Sequence, residues 1–181
     1  MTAFVDDLLM EVSEAHKPEP VSQPIIMVLQ REIDEELRHW LLGQTLKRIR
    51  HFCAQHDSDA DPIVFSREVE RDFAKDRDHE FLIIVAVQNM KVVGHLLADN
   101  YHYYGRRYVC VSQLELDVRL TLEQQRDAFQ AVITWQKELQ AHGIRAATAN
   151  AAIIPWFQAL GFVRIRTLME WRKKEPNNGR Q

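Results

Sequence analysis

The chain has little cysteine, glycine and proline. Its 181 residues include two cysteines, six glycines and six prolines. Cys53 and Cys110 are too few for a disulfide scaffold and too far apart for a C-x-x-C motif, which predicts a reducing compartment, the cytoplasm. Charges of both signs are nearly balanced, with a formal net charge of −3. This balance gives no basis for general nucleic-acid affinity.

Long apolar runs are also missing. No stretch approaches the roughly 20 apolar residues that a membrane-spanning helix needs. The first residues, MTAFVDDLLMEVSEA, are acidic and lack the basic start of a secretory signal. Asp57, Asp59 and Asp61 alternate as calcium ligands do, but the glycine and closing glutamate of a calcium loop are absent, so no metal site is predicted.

The N-terminal segment stands apart from the rest of the chain. Residues 3–15 have the apolar spacing of a short amphipathic helix, and residues up to 24 form a proline-rich linker. The helix either folds back onto its own domain or docks on a partner, which is a second copy or a larger assembly. A globular domain is predicted over residues 25–174 and a frayed tail over 175–181.

The order of elements in the middle of the chain indicates the fold class. Apolar runs predict strands over residues 25–29, 81–87, 92–99, 108–118 and 144–148. Helical spacing predicts helices over 31–56 (divided or bent at Gly43), over 65–76, from a cap at Thr121 to Gly143, and over 151–160. A strand or hairpin arm over 161–174 closes the domain. This order predicts a mixed α/β (α+β) fold with a mostly antiparallel sheet flanked by helices.

Three motifs in the second half of the chain carry a family resemblance. Asn150 is followed by Leu160, Gly161 and Phe162 at the end of a predicted helix. Upstream, KVVGHLL and QLELDV form consecutive strands, and a long helix follows the second. In these motifs the segment from Val92 to Trp171 resembles the GNAT (GCN5-related N-acetyltransferase) family, with Phe157 where members commonly have tyrosine.

The resemblance implies that acetyl-CoA donates an acetyl group to an amine. In the family, backbone N–H groups of the fourth strand hold the pantetheine arm, and a glycine-rich loop at the next helix binds the pyrophosphate. Here residues 123–128 replace that loop, and only the small Ala128 fits its pattern. The residues implied to bind acetyl-CoA are Leu116, Val118, Arg126, Asp127, Ala128 and Asn150.

Candidate catalytic residues follow from the same resemblance. Glu115 is the leading candidate base, since burial beside apolar walls raises a carboxyl pKa, and His95 on the neighbouring strand is the second. Phe157 cannot protonate a thiolate, so Tyr104, or another of the tyrosines at 101, 103 and 108, is the candidate acid. The alternatives are a solvated or salt-bridged strand carboxylate, a structural histidine, and an aromatic loop that packs or binds a partner.

Two functions of different classes fit these observations. The first is an N-acetyltransferase acting on an amine that the sequence does not identify. The alternative is an inactive GNAT-fold structural or interaction protein, for example in a larger assembly such as a virus particle, which the missing glycines and Phe157 favour. A nucleic-acid-modifying relative ranks lowest, because only RRY and the C-terminal RKK are basic clusters.

Overall fold

The computed structural model of the chain describes residues 23–30, 32–56, 61–74, 79–146 and 154–163. The helix predicted over residues 3–15, Asn150, the closing strand beyond residue 163 and the tail lie outside these ranges. The chain divides into two compact units, Met1–Ala147 and Thr148–Gln181.

A five-stranded sheet forms the centre of the first unit. Its strands are β1 (Ile25–Leu29), β2 (Phe81–Gln88), β3 (Lys91–Tyr103), β4 (Arg106–Leu116) and β5 (Ile144–Ala146). Strands β1 to β4 are antiparallel neighbours in chain order, and β5 pairs in parallel with β4. The mixed, mostly antiparallel sheet predicted from the sequence is therefore confirmed.

Tight two-residue turns join the three central strands. Asn89 and Met90 connect β2 to β3, with φ of 49° and 56°. Tyr104 and Gly105 connect β3 to β4, with φ of 48° and 73°. Positive φ at both turn residues matches the type I′ turn, whose twist suits antiparallel strands. The segment NYHYYGRR, predicted as a loop or strand end, is thus the tip of a long hairpin.

Three helices flank the sheet: α1 (Glu35–His56), α2 (Pro62–Ala74) and α3 (Leu122–Glu138). Helix α1 is one uninterrupted helix through the exposed Gly43, so the division into two helices, one of the two alternatives predicted at this glycine, is not found. Helix α3 begins after Thr121 as predicted. It ends at Glu138 and not at Gly143, because Gln140 adopts the left-handed conformation, with φ of 51°.

Apolar side chains fill the space between the helices and the sheet. Helices α1 and α2 cover one face, where the buried cluster comprises Leu29, Leu41, Leu46, Ile49, Cys53, Val69, Phe73, Ile83, Val85, Val87 and Leu97. Helix α3 packs on β1, β2 and β4, with Val132 and Trp135 buried. None of the helices in the described ranges is both long and apolar enough to cross a membrane.

The second unit contains the short helix α4 (Ile154–Ala159), with Pro155 in its first turn as predicted. The helix ends in a Schellman arrangement at Gly161, whose φ is 89°. The N–H of Phe162 donates to the carbonyl of Phe157 at 3.0 Å, and that of Gly161 to Gln158 at 3.0 Å. The rings of Phe157 and Phe162 meet edge to face at 5.0 Å. This aromatic contact across the Schellman turn gives Phe157 a packing role.

Candidate active site

Five polar side chains gather where β3 and β4 pass beneath α1. Register places His95 opposite Glu115, and strand alternation puts Gln113, Glu115 and Asp117 on the same face. Arg48 reaches this face from α1. We call these five residues the polar cluster. It unites Glu115 and His95, both predicted as catalytic candidates.

His95 lies at the buried end of the polar cluster. Its side chain has no solvent exposure, and its Nε2 lies 3.0 Å from the amide oxygen of Gln113. Gln113 in turn donates through Nε2 to the sulfur of Cys53 at 3.4 Å, which orients its oxygen towards the imidazole. Burial lowers the pKa of His95. The ring is therefore neutral at pH 7, with Nε2 as donor and Nδ1 facing Glu115 Oε2 at 3.5 Å.

Arg48 supplies the positive charge of the polar cluster. Its guanidinium makes a two-pronged contact with Asp117, at 2.7 Å from Nη1 and 3.0 Å from Nη2. Nη2 also lies 3.2 Å from Glu115 Oε2. The hydrogen bond from Arg48 is the main reason that the pKa of Asp117 is lowered. One guanidinium thus serves two carboxylates, and the Glu115 side chain remains 21% exposed.

Replacing Arg48 by methionine is expected to lower the free energy of unfolding by about 1–2 kcal/mol at pH 7, because two adjacent carboxylates lose their counter-charge. The lowered pKa of Asp117 sets the sign of the pH dependence. The stabilisation that ionised Asp117 contributes is present above its unfolded pKa near 4, and it is lost as the pH falls through its folded pKa. Urea titrations from pH 7 to pH 2.5 should show the two proteins converging in acid.

The control for this variant is Lys47→Met, which removes the same charge from the exposed neighbouring position of α1. It should change stability by less than about 0.5 kcal/mol. Equal losses for the two variants, or a difference that does not shrink in acid, would contradict a stabilising ion pair between Arg48 and Asp117.

Beside the polar cluster, one edge of β4 has no neighbouring strand among the described residues. The N–H of Asp117 donates to Val93 on β3 at 2.8 Å. Because antiparallel ladders alternate, the N–H groups of Leu114 and Leu116 point away from β3. Within the described ranges, β5 pairs with β4 only from Val109 to Val111. Among the described residues, the Leu114 and Leu116 donors therefore face outwards from an open edge of β4.

The strand geometry changes just before this open edge. The register of β3 with β4 shifts between Leu97 and Ala98, leaving Ser112 as an extra residue on β4. The Ser112 hydroxyl donates to the carbonyl of Leu97 at 3.3 Å. A bulge of this kind bends the strand and increases its twist. It lies next to the point where pairing with β5 ends.

The start of α3 differs from the phosphate-binding loop that the family comparison had implied. A capping box is present there. The Gln124 N–H donates to Thr121 Oγ1 at 3.2 Å, and the Thr121 N–H donates to Gln124 Oε1 at 3.0 Å. Arg126, Asp127 and Ala128 come after the first turn, so their N–H groups belong to the helix ladder. Ala128 is buried, whereas the exposed Arg126 side chain can still meet a phosphate.

The remaining predicted site residues lie elsewhere. Tyr104 is at the β3–β4 turn, 87% exposed and about 25 Å along the strand from His95, so the structure does not bring it to Glu115. Val118 follows the end of β4, and Asn150 is outside the described residues.

Arg48 was not predicted from the sequence, because it lies 67 residues before Glu115 and only folding brings the two together. In the described part of the chain, no group of three or more His, Cys, Asp or Glu side chains is arranged to hold a metal ion.

Comparison with solved structures identifies the fold. An acetyltransferase of Clostridium acetobutylicum solved with acetyl-CoA superposes with a TM-score of 0.58 at 13% identity, covering 83% of this chain and 96% of that one. Glucosamine-6-phosphate N-acetyltransferase of Arabidopsis thaliana gives 0.55 at 9%, covering 82% and 98%. An aminoglycoside acetyltransferase from a soil metagenome, in complex with sisomicin, gives 0.54 at 11%, covering 84% and 97%.

The chain has the fold of the GNAT acetyltransferases, as the motifs in its second half predicted. No protein-family model and no curated protein matches its sequence. At identities of 9–13% the likeness concerns the fold alone, and the chemistry has to be argued from the residues of the site.

Proposed function

We propose that the chain is an N-acyltransferase that moves an acetyl group from acetyl-CoA to an amine. The observation that carries the proposal is the open edge of β4, where two outward N–H groups flank Glu115 on the same strand. The Leu114 and Leu116 donors would hold the amide and thioester oxygens of the acetyl-pantetheine arm. Such fixed backbone dipoles stabilise the oxyanion of an acyl-transfer intermediate.

In the proposed reaction, Glu115 removes the proton of the incoming amine. The nitrogen then attacks the thioester carbon, and the C–S bond breaks as the tetrahedral intermediate collapses. The thiolate of coenzyme A leaves without an acid, since a thiol with a pKa near 8.5 is a fair leaving group. It takes up, through solvent, the proton that the nitrogen loses as the amide forms, and the proton on Glu115 returns to solvent. This route needs no proton-donating side chain at position 157, where the chain has phenylalanine.

His95 would contact Glu115 from the buried end of the polar cluster. Its neutral Nδ1 faces Glu115 Oε2 at 3.5 Å, and Nδ1 has no hydrogen-bond partner among the described residues. A proton that Glu115 takes from the amine can be shared with Nδ1, which has a free lone pair in this tautomer. The buried imidazole itself does not contact substrate, so His95 is a positioning residue.

The charge of the polar cluster favours a cationic acceptor. Glu115 and Asp117 carry two negative charges against the single positive charge of Arg48, and His95 is neutral. Asp117 is the more exposed carboxylate, at 58%. A primary amine arrives mostly as an ammonium ion at pH 7, and it would be drawn to this uncompensated charge before Glu115 deprotonates it.

The inactive alternative also has support of its own. The capping box at Thr121 uses donors that a pyrophosphate would otherwise bind, and Arg48 holds the carboxylate of the candidate base. In this view the fold serves as a structural or interaction module, and residues 3–15 are its docking segment. Coenzyme binding decides between the two proposals.

The test is calorimetric titration of the full chain with acetyl-CoA, followed by thiol-release assays with a panel of amines. The panel includes an aminoglycoside, glucosamine-6-phosphate and a lysine peptide. We expect saturable binding and turnover, with Glu115→Gln lowering kcat about 100-fold while acetyl-CoA affinity stays within about twofold. The exposed Glu68→Gln on α2 serves as the matched control. No binding at millimolar ligand would reject the enzyme, and unchanged turnover in Glu115→Gln would reject Glu115 as the base.

A further inference from the structure

A second surface of note lies at the opposite end of β3 and β4 from the polar cluster. Register pairs Tyr101 with Tyr108 and Tyr103 with Arg106, and it places Arg145 of β5 beside Cys110. All these side chains therefore project from one face of the sheet, with the turn residue Tyr104 at its tip. We call Tyr101, Tyr103, Tyr104, Arg106, Tyr108 and Arg145 the tyrosine–arginine surface.

Three tyrosine rings of this surface contact one another, and the Arg145 guanidinium lies over two tyrosine rings. The Arg145 guanidinium lies 3.8 Å from the Tyr108 ring centre and 4.8 Å from that of Tyr103. Tyr103 contacts Tyr104 edge-on at 4.3 Å and stacks with Tyr101 at 6.0 Å. An arginine held flat on aromatic rings keeps its N–H edges free for planar or tetrahedral anions.

The positive charge of the surface has no counterpart in the described ranges. Arg106 and Arg145 form no ion pair with a carboxylate there, and the Arg106 guanidinium instead meets the His142 ring at 3.3 Å. Asp99, on the same face two residues before Tyr101, is partly buried. Two guanidinium groups therefore stand ready for anions supplied by a ligand.

Two aromatic rings of the surface are left open to solvent. Tyr104 is 87% exposed and Tyr101 42% exposed. Tyr104 also occupies a turn position with φ of 48°, where asparagine and glycine are favoured and a bulky side chain costs about 1 kcal/mol. The equivalent position of the β2–β3 turn is Asn89. Turn preference does not account for an aromatic ring at position 104, and its edge-on contact with Tyr103 leaves most of the residue exposed.

We propose that the tyrosine–arginine surface binds single-stranded nucleic acid. Bases would stack on Tyr101 and Tyr104, and the intervening phosphates would bind Arg106 and Arg145, a combination that serves strand binding without sequence preference. An acidic peptide would satisfy the arginines but would leave the exposed rings uncovered. The nearly balanced charge of the chain gave no basis for nucleic-acid affinity. In the folded protein, however, Arg145 lies over Tyr108, the last residue of the RRY motif, and adds a positive charge to it. This inference is independent of the proposed acetyl transfer.

The experiment is fluorescence anisotropy of labelled oligothymidylate and oligouridylate titrated with the full chain at several salt concentrations. Tyr104→Asn should weaken binding about tenfold, because one stacking platform is lost while the turn keeps a favoured residue. The double variant Arg106→Gln/Arg145→Gln should weaken binding at least tenfold and reduce the slope of log K against log salt by about 1.4. Arg67→Gln on α2, which removes an exposed arginine far from the surface in sequence, should leave both quantities nearly unchanged.

Three results would overturn the proposal. They are equal affinity for wild type and the surface variants, equal affinity for duplex DNA and single strands, and displacement by poly-glutamate as effective as displacement by unlabelled oligonucleotide. The last would assign the surface to an acidic protein segment. Thermal melts of each variant confirm that it is folded before titration. The affinities for oligothymidylate and oligouridylate, compared with each other, show whether DNA or RNA binds more tightly.

Discussion

Replacing Gly94 by alanine is expected to lower the free energy of unfolding by about 2–3 kcal/mol, the cost of overpacking a closely fitted site. A Cβ atom at this position would lie 2.9 Å from the carbonyl oxygen of Glu115 and would also collide with the Leu116 side chain. The leucine can rotate, but the carbonyl belongs to the paired strand. Strands β3 and β4 would therefore have to separate at Leu116, the residue opposite Gly94.

Gly43 provides a matched control for the same substitution. It lies exposed within α1, and nothing comes within 4 Å of an added Cβ. Gly43→Ala should raise stability by about 0.5–1 kcal/mol, because alanine is the better helix former. The two variants should thus shift the midpoint of a urea denaturation curve in opposite directions. A Gly94→Ala midpoint equal to wild type would mean that β3 and β4 do not approach as closely as described.

The same substitution also connects the strand geometry to the proposed acetyl transfer. Gly94→Ala displaces Glu115 and Leu116, which carry the candidate base and one of the outward donors. If the proposed function holds, calorimetric titration of the folded variant should show at least tenfold weaker acetyl-CoA binding than wild type. Gly43→Ala should bind as wild type does.

The sequence was most informative where local patterns decide the structure. The apolar run from Phe81 to Val87 predicted a strand within one residue, and Thr121 predicted the start of α3 through its capping side chain. The glycines were less informative. Helix α1 continues through Gly43 without a division, and α3 ends before Gly143, where Gln140 takes the left-handed conformation.

Part of the polar cluster could be predicted because strand geometry is regular. Glu115 and Gln113 share a face by alternation, and His95 faces them once the β3–β4 register is set. Arg48 could not be predicted, because its contact depends on how α1 crosses the sheet. The contact of Arg145 with the Tyr108 ring could not be predicted either, because it depends on how β5 pairs with β4.

Substitution of Asp99 by asparagine is expected to stabilise the protein at pH 7 by about 2–3 kcal/mol. Burial raises the pKa of this carboxyl to about 6, against the smaller opposing effect of its hydrogen bond with Ser112. Oδ1 has no hydrogen-bond partner in the described ranges. A pKa rise of this size corresponds to about 3 kcal/mol of unfavourable charge burial, and a neutral amide avoids that cost.

The sign of the pH dependence follows from the raised pKa. Between about pH 4 and pH 6 the folded protein holds a proton at Asp99 that the unfolded chain has released, so this group's contribution to stability falls as pH rises through that window. Asp99→Asn removes the dependence. Its advantage should therefore grow from near zero below pH 4 to its full value above pH 6, measured as the difference in unfolding free energy by urea titration at each pH.

Asp117→Asn is the control with the opposite sign. The pKa of Asp117 is lowered by Arg48, so its charged form stabilises the fold and its loss should destabilise the protein above about pH 4. The two aspartates, on neighbouring strands of one sheet, thus have opposite effects, because one is buried without a cation and the other is paired with one. A variant Asp99→Asn that is less stable than wild type at pH 7 would show that the Asp99 charge is compensated in the folded protein.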